Sequence, residues 1–127
     1  MKKRVLAAMM ACAMAAGLVS CFPSCEAYEA MGLGVAALRG NELLAGASSY
    51  ARSRDAIEIE IDTREDMRNR GLASACGAAL ILECLERGLY PSWDAHTEIS
   101  AALAEKLGYH VSHPYVVYEV EADKGPV

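Results

Sequence analysis

An excess of positive charge is missing from this chain. Twelve Lys and Arg stand against seventeen Asp and Glu, a net charge of −5 over 127 residues. No basic stripe is left to neutralise a phosphate backbone, which argues against a nucleic-acid partner. Metal-ligand spacing is missing too. The five cysteines, Cys12, Cys21, Cys25, Cys76 and Cys84, form no C-x-x-C pair and combine with no histidine at ligand spacing, so no metal is expected. The apolar run from Val5 to Val19 is too short for a comfortable membrane span, and a membrane partner is not expected. The glycines match neither G-x-G-x-x-G nor G-x-x-x-x-G-K-[ST], which removes support from dinucleotide and Walker-type sites. There is no internal repeat and no low-complexity linker. The length suits one domain and is too short for two.

What is present divides at about residue 20. Lys2, Lys3 and Arg4 precede the apolar run, the layout of a secretory signal. Leu18-Val19-Ser20-Cys21 also resembles a bacterial lipobox, with Cys21 as the lipidated residue. The alternative is an apolar helix. Residues 1–20 are therefore read as an apolar segment and 21–127 as the folded domain. An odd number of unpaired cysteines fits a reducing compartment. The expected location is the cytoplasm, with an exported lipoprotein anchored at Cys21 as the alternative.

Ala56 to Gly88 organises the domain. Ile57, Ile59 and Ile61 alternate with Glu58, Glu60 and Asp62, the period of a half-buried strand. A helix is expected from Arg70-Gly71, with Leu72, Ala75, Cys76, Ala79 and Leu80 at helical spacing and Gly88 just past its last turn. Cys76 and Cys84 lie two turns apart on it and read as packed thiols. Upstream, 32–38 and 42–51 form a hairpin about Arg39-Gly40-Asn41, with Gly46 marking a bulge or a close backbone approach. Downstream, 89–93 is a short strand, irregular or at an edge because of Pro91. Thr97 then caps a helix from Glu98 to Leu107 that Gly108 closes, and Tyr115 to Glu121 is a last strand. The order is β-β-β-α-β-α-β.

Between strand and long helix lies Arg68-Asn69-Arg70-Gly71-Leu72-Ala73. A glycine lets a ligand approach the backbone there, and the first-turn N–H groups are free anion donors beside two arginines. This R-x-x-G-x-A after a strand resembles the acetyl-CoA pyrophosphate signature of the GNAT N-acetyltransferases. GASSY (46–50), IEIEIDT (57–63), RNRGLASACGAALILECLERGLYPSWDAH (68–96) and LAEKLGY (103–109) resemble the branch that includes zwittermicin-resistance-type acetyltransferases. The likeness spans roughly residues 20 to 120. It implies a mixed, mostly antiparallel α/β sheet with a long helix after its central strand, and a family core whose N-terminal elements are missing or reduced. An uncovered sheet face would favour a homo-oligomer.

The implied reaction is acetyl transfer from acetyl-CoA to an amine of a small molecule. Arg68, Asn69, Arg70, Gly71, Leu72 and Ala73 match the pyrophosphate loop, with Ser74 adding its N–H or hydroxyl. Glu65 departs from the family pattern, where proline is common. A base is expected among the half-buried carboxylates of the strand, Glu58 or Glu60, the residues leaving both open. For the acid, the position that often holds tyrosine is Ala104, and Thr97 replaces a common asparagine. Asp94, His96, Tyr109 or water remain. A catalytic-free alternative is a truncated domain that binds CoA or pairs with another chain.

Overall fold

The computed structural model describes residues 25–116 and residue 118. A seven-residue helix, α1 (Cys25–Met31), leads into a hairpin of β1 (Gly34–Arg39) and β2 (Glu42–Arg52). Arg39 pairs with Glu42, so the loop is the two residues Gly40-Asn41, the tightest hairpin connection. Next come β3 (Ala56–Thr63), a 3₁₀ turn (Glu65–Met67), helix α2 (Leu72–Glu86), β4 (Tyr90–Ser92) and helix α3 (Glu98–Lys106). The sheet order is β1-β2-β3-β4. The first two pairings are antiparallel and β3–β4 is parallel, as a crossover through α2 requires. The mixed, mostly antiparallel sheet with its long helix after β3 is the architecture expected from the sequence.

The core forms on one face of this sheet. Ile57 and Ile59 alternate with half-buried glutamates along β3 and meet Leu80, Cys76 and Cys84 of α2, with Ala45 and Ala47 of β2 beside them. Ile57 is 1% exposed, and sealing such a side chain from water stabilises the fold by roughly 1.5–3 kcal/mol. Alanines across β2 leave room for the helix backbone to come close. At Gly77 a Cβ would sit 3.0 Å from both Ile61 Cδ1 and Leu107 Cδ1, so α2 is wedged between β3 and the end of α3. Cys76 and Cys84 are free, buried thiols, and burial pushes both upward from the ordinary thiol range. They are packing groups, as their spacing suggested.

Both long helices end in the same motif. After α2, Gly88 adopts φ +68° and the Leu89 N–H reaches back to the Cys84 carbonyl at 2.9 Å. After α3, the Tyr109 N–H reaches the Ala104 carbonyl at 3.1 Å past Gly108. These six-to-one bonds satisfy otherwise orphaned carbonyls and turn the chain sharply. One turn delivers Leu89 to the core and starts β4; the other aims Tyr109 at β4. At its start α3 is capped by Thr97, whose Oγ1 accepts from the Ser100 N–H at 3.1 Å.

Two expectations need correction. The bulge alternative for Gly46 does not hold, because Gly46 is regular in the ladder, opposite Ala36 and Asp62. The register shifts instead fall at Leu44 in the β1–β2 pairing and at Tyr50 in the β2–β3 pairing. Neither bulge needs a positive φ, so no glycine marks it. Of the expected last strand, Tyr115, Val116 and Tyr118 are in no strand, and its other residues lie outside those described. The segment from Met1 to Val19, with the lipobox-like Leu18 to Cys21, also lies outside them. Among the described residues no helix is long and apolar enough to cross a membrane.

Candidate functional site

Three neighbouring parts carry chemistry. The first is the turn between β3 and α2. It is anchored by Met67, which is buried, and by Arg64, whose guanidinium grips Asp66 through two contacts of 2.5 and 2.9 Å and approaches Glu42 at 3.8 Å. That grip holds the Asp66 carboxyl below its ordinary range. Arg64 is therefore occupied by the protein itself. Arg68 and Arg70 are exposed and form no ion pair among the described residues. Between them Asn69 adopts φ +59°, and Gly71 follows at φ +76°. Gly71 is the N-cap of α2 and supplies no side chain to cap it. A Cβ at Gly71 would meet nothing within 4 Å, so the space above the helix start is open. The first-turn N–H groups of Leu72, Ala73 and Ser74 thus point out uncapped; the first intrahelical bond runs from the Ala75 N–H to the Gly71 carbonyl at 3.0 Å. No acidic residue occupies that first turn. Uncapped donors, the positive helix end and two guanidinium groups without an ion pair among the described residues could hold an anion with several phosphate oxygens.

The second part is the outer row of β3. Glu58, Glu60 and Asp62 face away from α2, as the alternation predicts. β4 pairs with β3 only from Ala56 to Glu58, opposite Tyr90 to Ser92. From Ile59 to Thr63 the strand has β2 on one side and no described strand on the other. Backbone groups on that side of Ile59 and Ile61 have no strand partner among the described residues, which suits an extended chain bearing amides, while the Thr63 N–H is taken by Asp62 Oδ1 at 2.7 Å. Burial raises the Glu60 carboxyl above its ordinary range, with Asp62 adding repulsion. Glu58 is raised by burial and by Asp94, while His96 opposes the shift. Glu60 Oε2 and the Ser48 hydroxyl are both buried without a hydrogen-bond partner, as is Thr63 Oγ1 on the α2 side. Each such group costs about 1–3 kcal/mol of lost hydration unless something fills the gap.

The third part lies beyond β4. A cleft of about 590 Å³ is lined by Trp93, Asp94, His96, Ala104, Tyr109 and Tyr115, among others. The Tyr109 hydroxyl donates to the Pro91 carbonyl at 2.7 Å, and its ring lies 5.5 Å from that of Trp93. Burial pushes this phenol up to about 12. Trp93 Nε1 donates to Ser100 Oγ at 3.1 Å, tying the strand end to α3. The Tyr115 hydroxyl donates to Asp94 Oδ2. Ala104 is buried at the cleft wall and His96 is exposed. Among the described residues no group of three metal-binding side chains assembles.

The cofactor-loop residues named from the sequence thus come together in one turn, and the two candidate bases share one strand face. Sequence reasoning missed Ser48 and Tyr115. Ser48 carries no local signal, because only the β2–β3 register places it opposite Glu60. The alternation of Tyr115 to Glu121 predicts a strand, and that pattern hides the contact of Tyr115 with Asp94.

Comparison with known proteins adds the relatives. A family model described as GNAT acetyltransferase matches residues 1–118. The N-acetyltransferase YdfB of Bacillus subtilis, described as uncharacterized, is 34% identical over 97 residues, covering 75% of this chain and 37% of that protein. A GCN5-related N-acetyltransferase-like protein from Streptococcus suis superposes with a TM-score of 0.70 at 55% identity, over 72% of this chain and 37% of that one. A predicted acetyltransferase from Clostridium acetobutylicum, solved with acetyl-CoA, superposes at 0.59 and 15% identity over 74% and 68%, which shows the shared fold. The chain spans little more than a third of the length of the first two relatives.

Proposed function

The chain belongs to the GNAT acetyltransferase family, and from that premise we propose that it is an N-acetyltransferase moving acetyl from acetyl-CoA to an amine of a small molecule. The observation that carries this reading is the uncapped start of α2 beside two unpaired arginines, at the end of a strand with an open edge. Arg68, Asn69, Arg70, Gly71, Leu72, Ala73 and Ser74 hold the pyrophosphate, each charge-assisted bond contributing roughly 1.5–3 kcal/mol. The amide-bearing arm runs along Ile59 to Thr63 and brings the thioester to the outer row of β3.

There the amine lone pair attacks the thioester carbon, Glu60 or Glu58 takes the ammonium proton, and the C–S bond breaks to release the thiolate. Positioning and deprotonation account for most of the acceleration. Of the two, Glu60 lies beside the open edge, whereas Glu58 sits where β4 closes it. Tyr109 does not serve as acid, because its proton is committed to Pro91 and its phenol is shifted up. Ala104 has no proton to give, which leaves Asp94, His96 or water to protonate the thiolate. We assign the acetyltransferase domain to 21–127, the finer affiliation to the zwittermicin-resistance-type branch on the segments quoted above, and the location to the cytoplasm, where acetyl-CoA is made.

Isothermal calorimetry with acetyl-CoA tests the carrying observation. Gly71→Glu places a carboxylate in the open space above the helix start and should abolish binding. Equal affinity for wild type and variant would sink the reading. Binding without thiol release, across a panel of small primary amines, would instead support a CoA-binding domain that lacks turnover on its own.

A further inference from the structure

Across the outer face of the sheet, Gly34, Ser48 and Glu60 form one row through β1, β2 and β3, and Ala36, Gly46 and Asp62 form the next. Directly opposed residues of antiparallel strands point to the same side. Ser48 and Glu60 therefore present their polar atoms together, flanked on β1 and β2 by Gly34, Ala36 and Gly46 and on β3 by Glu58 and Asp62. Ser48 is fully buried, and both Ser48 Oγ and Glu60 Oε2 are sealed from solvent. Among the described residues neither has a hydrogen-bond partner, so the pair do not bond to each other. Native proteins rarely leave two adjacent buried polar atoms unsatisfied. The ordinary resolution is an ordered water bonded to both.

We infer that Ser48 is a positioning residue for Glu60: one ordered water bridges the Ser48 hydroxyl and Glu60 Oε2, fixing the carboxylate and favouring its charged form. The inference rests on the acetyltransferase reading only for its consequence, which is that Glu60 is ready to accept a proton from the amine. The water donates one hydrogen to Oε2 and accepts the hydroxyl hydrogen of Ser48. No bond is broken in the arrangement. The environment of Glu60 is otherwise simple among the described residues. Asp62 is the one charge that acts on it, and it opposes ionisation. β1 and β2 present uncharged residues in both rows. Asp94 and His96 act on Glu58 instead. The water is thus the counterweight to burial and to Asp62.

Carboxyl-carbon NMR titration of the full chain reads this without any acceptor, with the Glu60 signal assigned from its loss in Glu60→Gln. Ser48→Ala should raise the Glu60 midpoint by roughly half a unit to one unit, since a bond to the charged form is lost. Should Ser48→Ala fail to fold, Ser48→Cys keeps nearly the same size with a much weaker donor and should shift the midpoint the same way. A crystal structure of the wild type should show a water within about 2.7–3.2 Å of both atoms. An unmoved midpoint, or a dry gap in a well-ordered map, would overturn the inference. Retained turnover in Glu60→Gln would remove Glu60 as the base and leave the titration result standing, so the two failures are separable.

Discussion

The turn that starts α2 and the outer row of β3 are adjacent in the chain and obtain their chemistry by opposite means. In the turn the working groups are backbone N–H donors and exposed guanidinium groups, and the protein withholds partners from them. Arg64 grips Asp66, and Arg68 and Arg70 form no ion pair among the described residues. In the row the carboxylates are partly buried, and their proton affinity comes from that burial and from nearby charges, Asp62 on the same strand for Glu60 and Asp94 and His96 beyond β4 for Glu58. An anion-binding turn needs exposure and correct φ angles. A base needs a tuned environment. On the reading proposed above, one short stretch supplies both because α2 covers only the isoleucine face of β3.

The comparison breaks most sharply at Glu60. Glu60→Gln should lower turnover by roughly 10²-fold or more and leave acetyl-CoA affinity unchanged, measured by thiol release and calorimetry. Glu58→Gln should cost less, because Glu58 sits beneath the β3–β4 pairing. The reverse order would move the base to Glu58.

The turn should fail in the opposite sense. Arg70→Ala should weaken acetyl-CoA binding by about 10- to 100-fold, the loss of one charge-assisted contact, with turnover at saturation nearly kept. Binding should also weaken as salt is added, since exposed charges are screened beyond roughly 8 Å at physiological ionic strength. A fall in saturated turnover with affinity intact would place Arg70 in the chemical step.

Acidity separates the two regions further. Because burial raises the folded Glu60 carboxyl above its unfolded value, the folded state holds that proton more tightly. The associated stability is present below the unfolded carboxylate range and is lost as pH rises through the raised folded value. Glu60→Gln should therefore flatten the stability profile from the ordinary carboxylate range upward, read by thermal unfolding across pH. Arg70→Ala should leave the profile's shape alone.

The smallest effect is expected at Asn69. Its φ of +59° suits glycine, so Asn69→Gly should change acetyl-CoA affinity by a few tenths of a kcal/mol, whereas the β-branched Asn69→Ile should weaken it clearly. Equal loss in both would mean that the Asn69 side chain, not its backbone angle, is what the turn requires.

By itself the sequence determined what is local. Isoleucine–glutamate alternation set the two faces of β3, Gly88 and Gly108 set the helix ends, Thr97 set the start of α3, and Arg68 to Ser74 set the turn that opens α2. Each depends on a few neighbouring φ and ψ angles and on period, which nearby residues dictate. Only the tertiary structure decided the rest. The bulges at Leu44 and Tyr50 come from matching β2 to two strands of different register, so no bulge falls at Gly46. Ser48 faces Glu60 because of that register, and the one-residue alternative would have buried it on the other side. Tyr109 became a tether to Pro91 because the turn after α3 aims it there. Pairing between strands far apart in sequence is a property of the packed sheet, and so is the proton affinity of any carboxylate that lies between them.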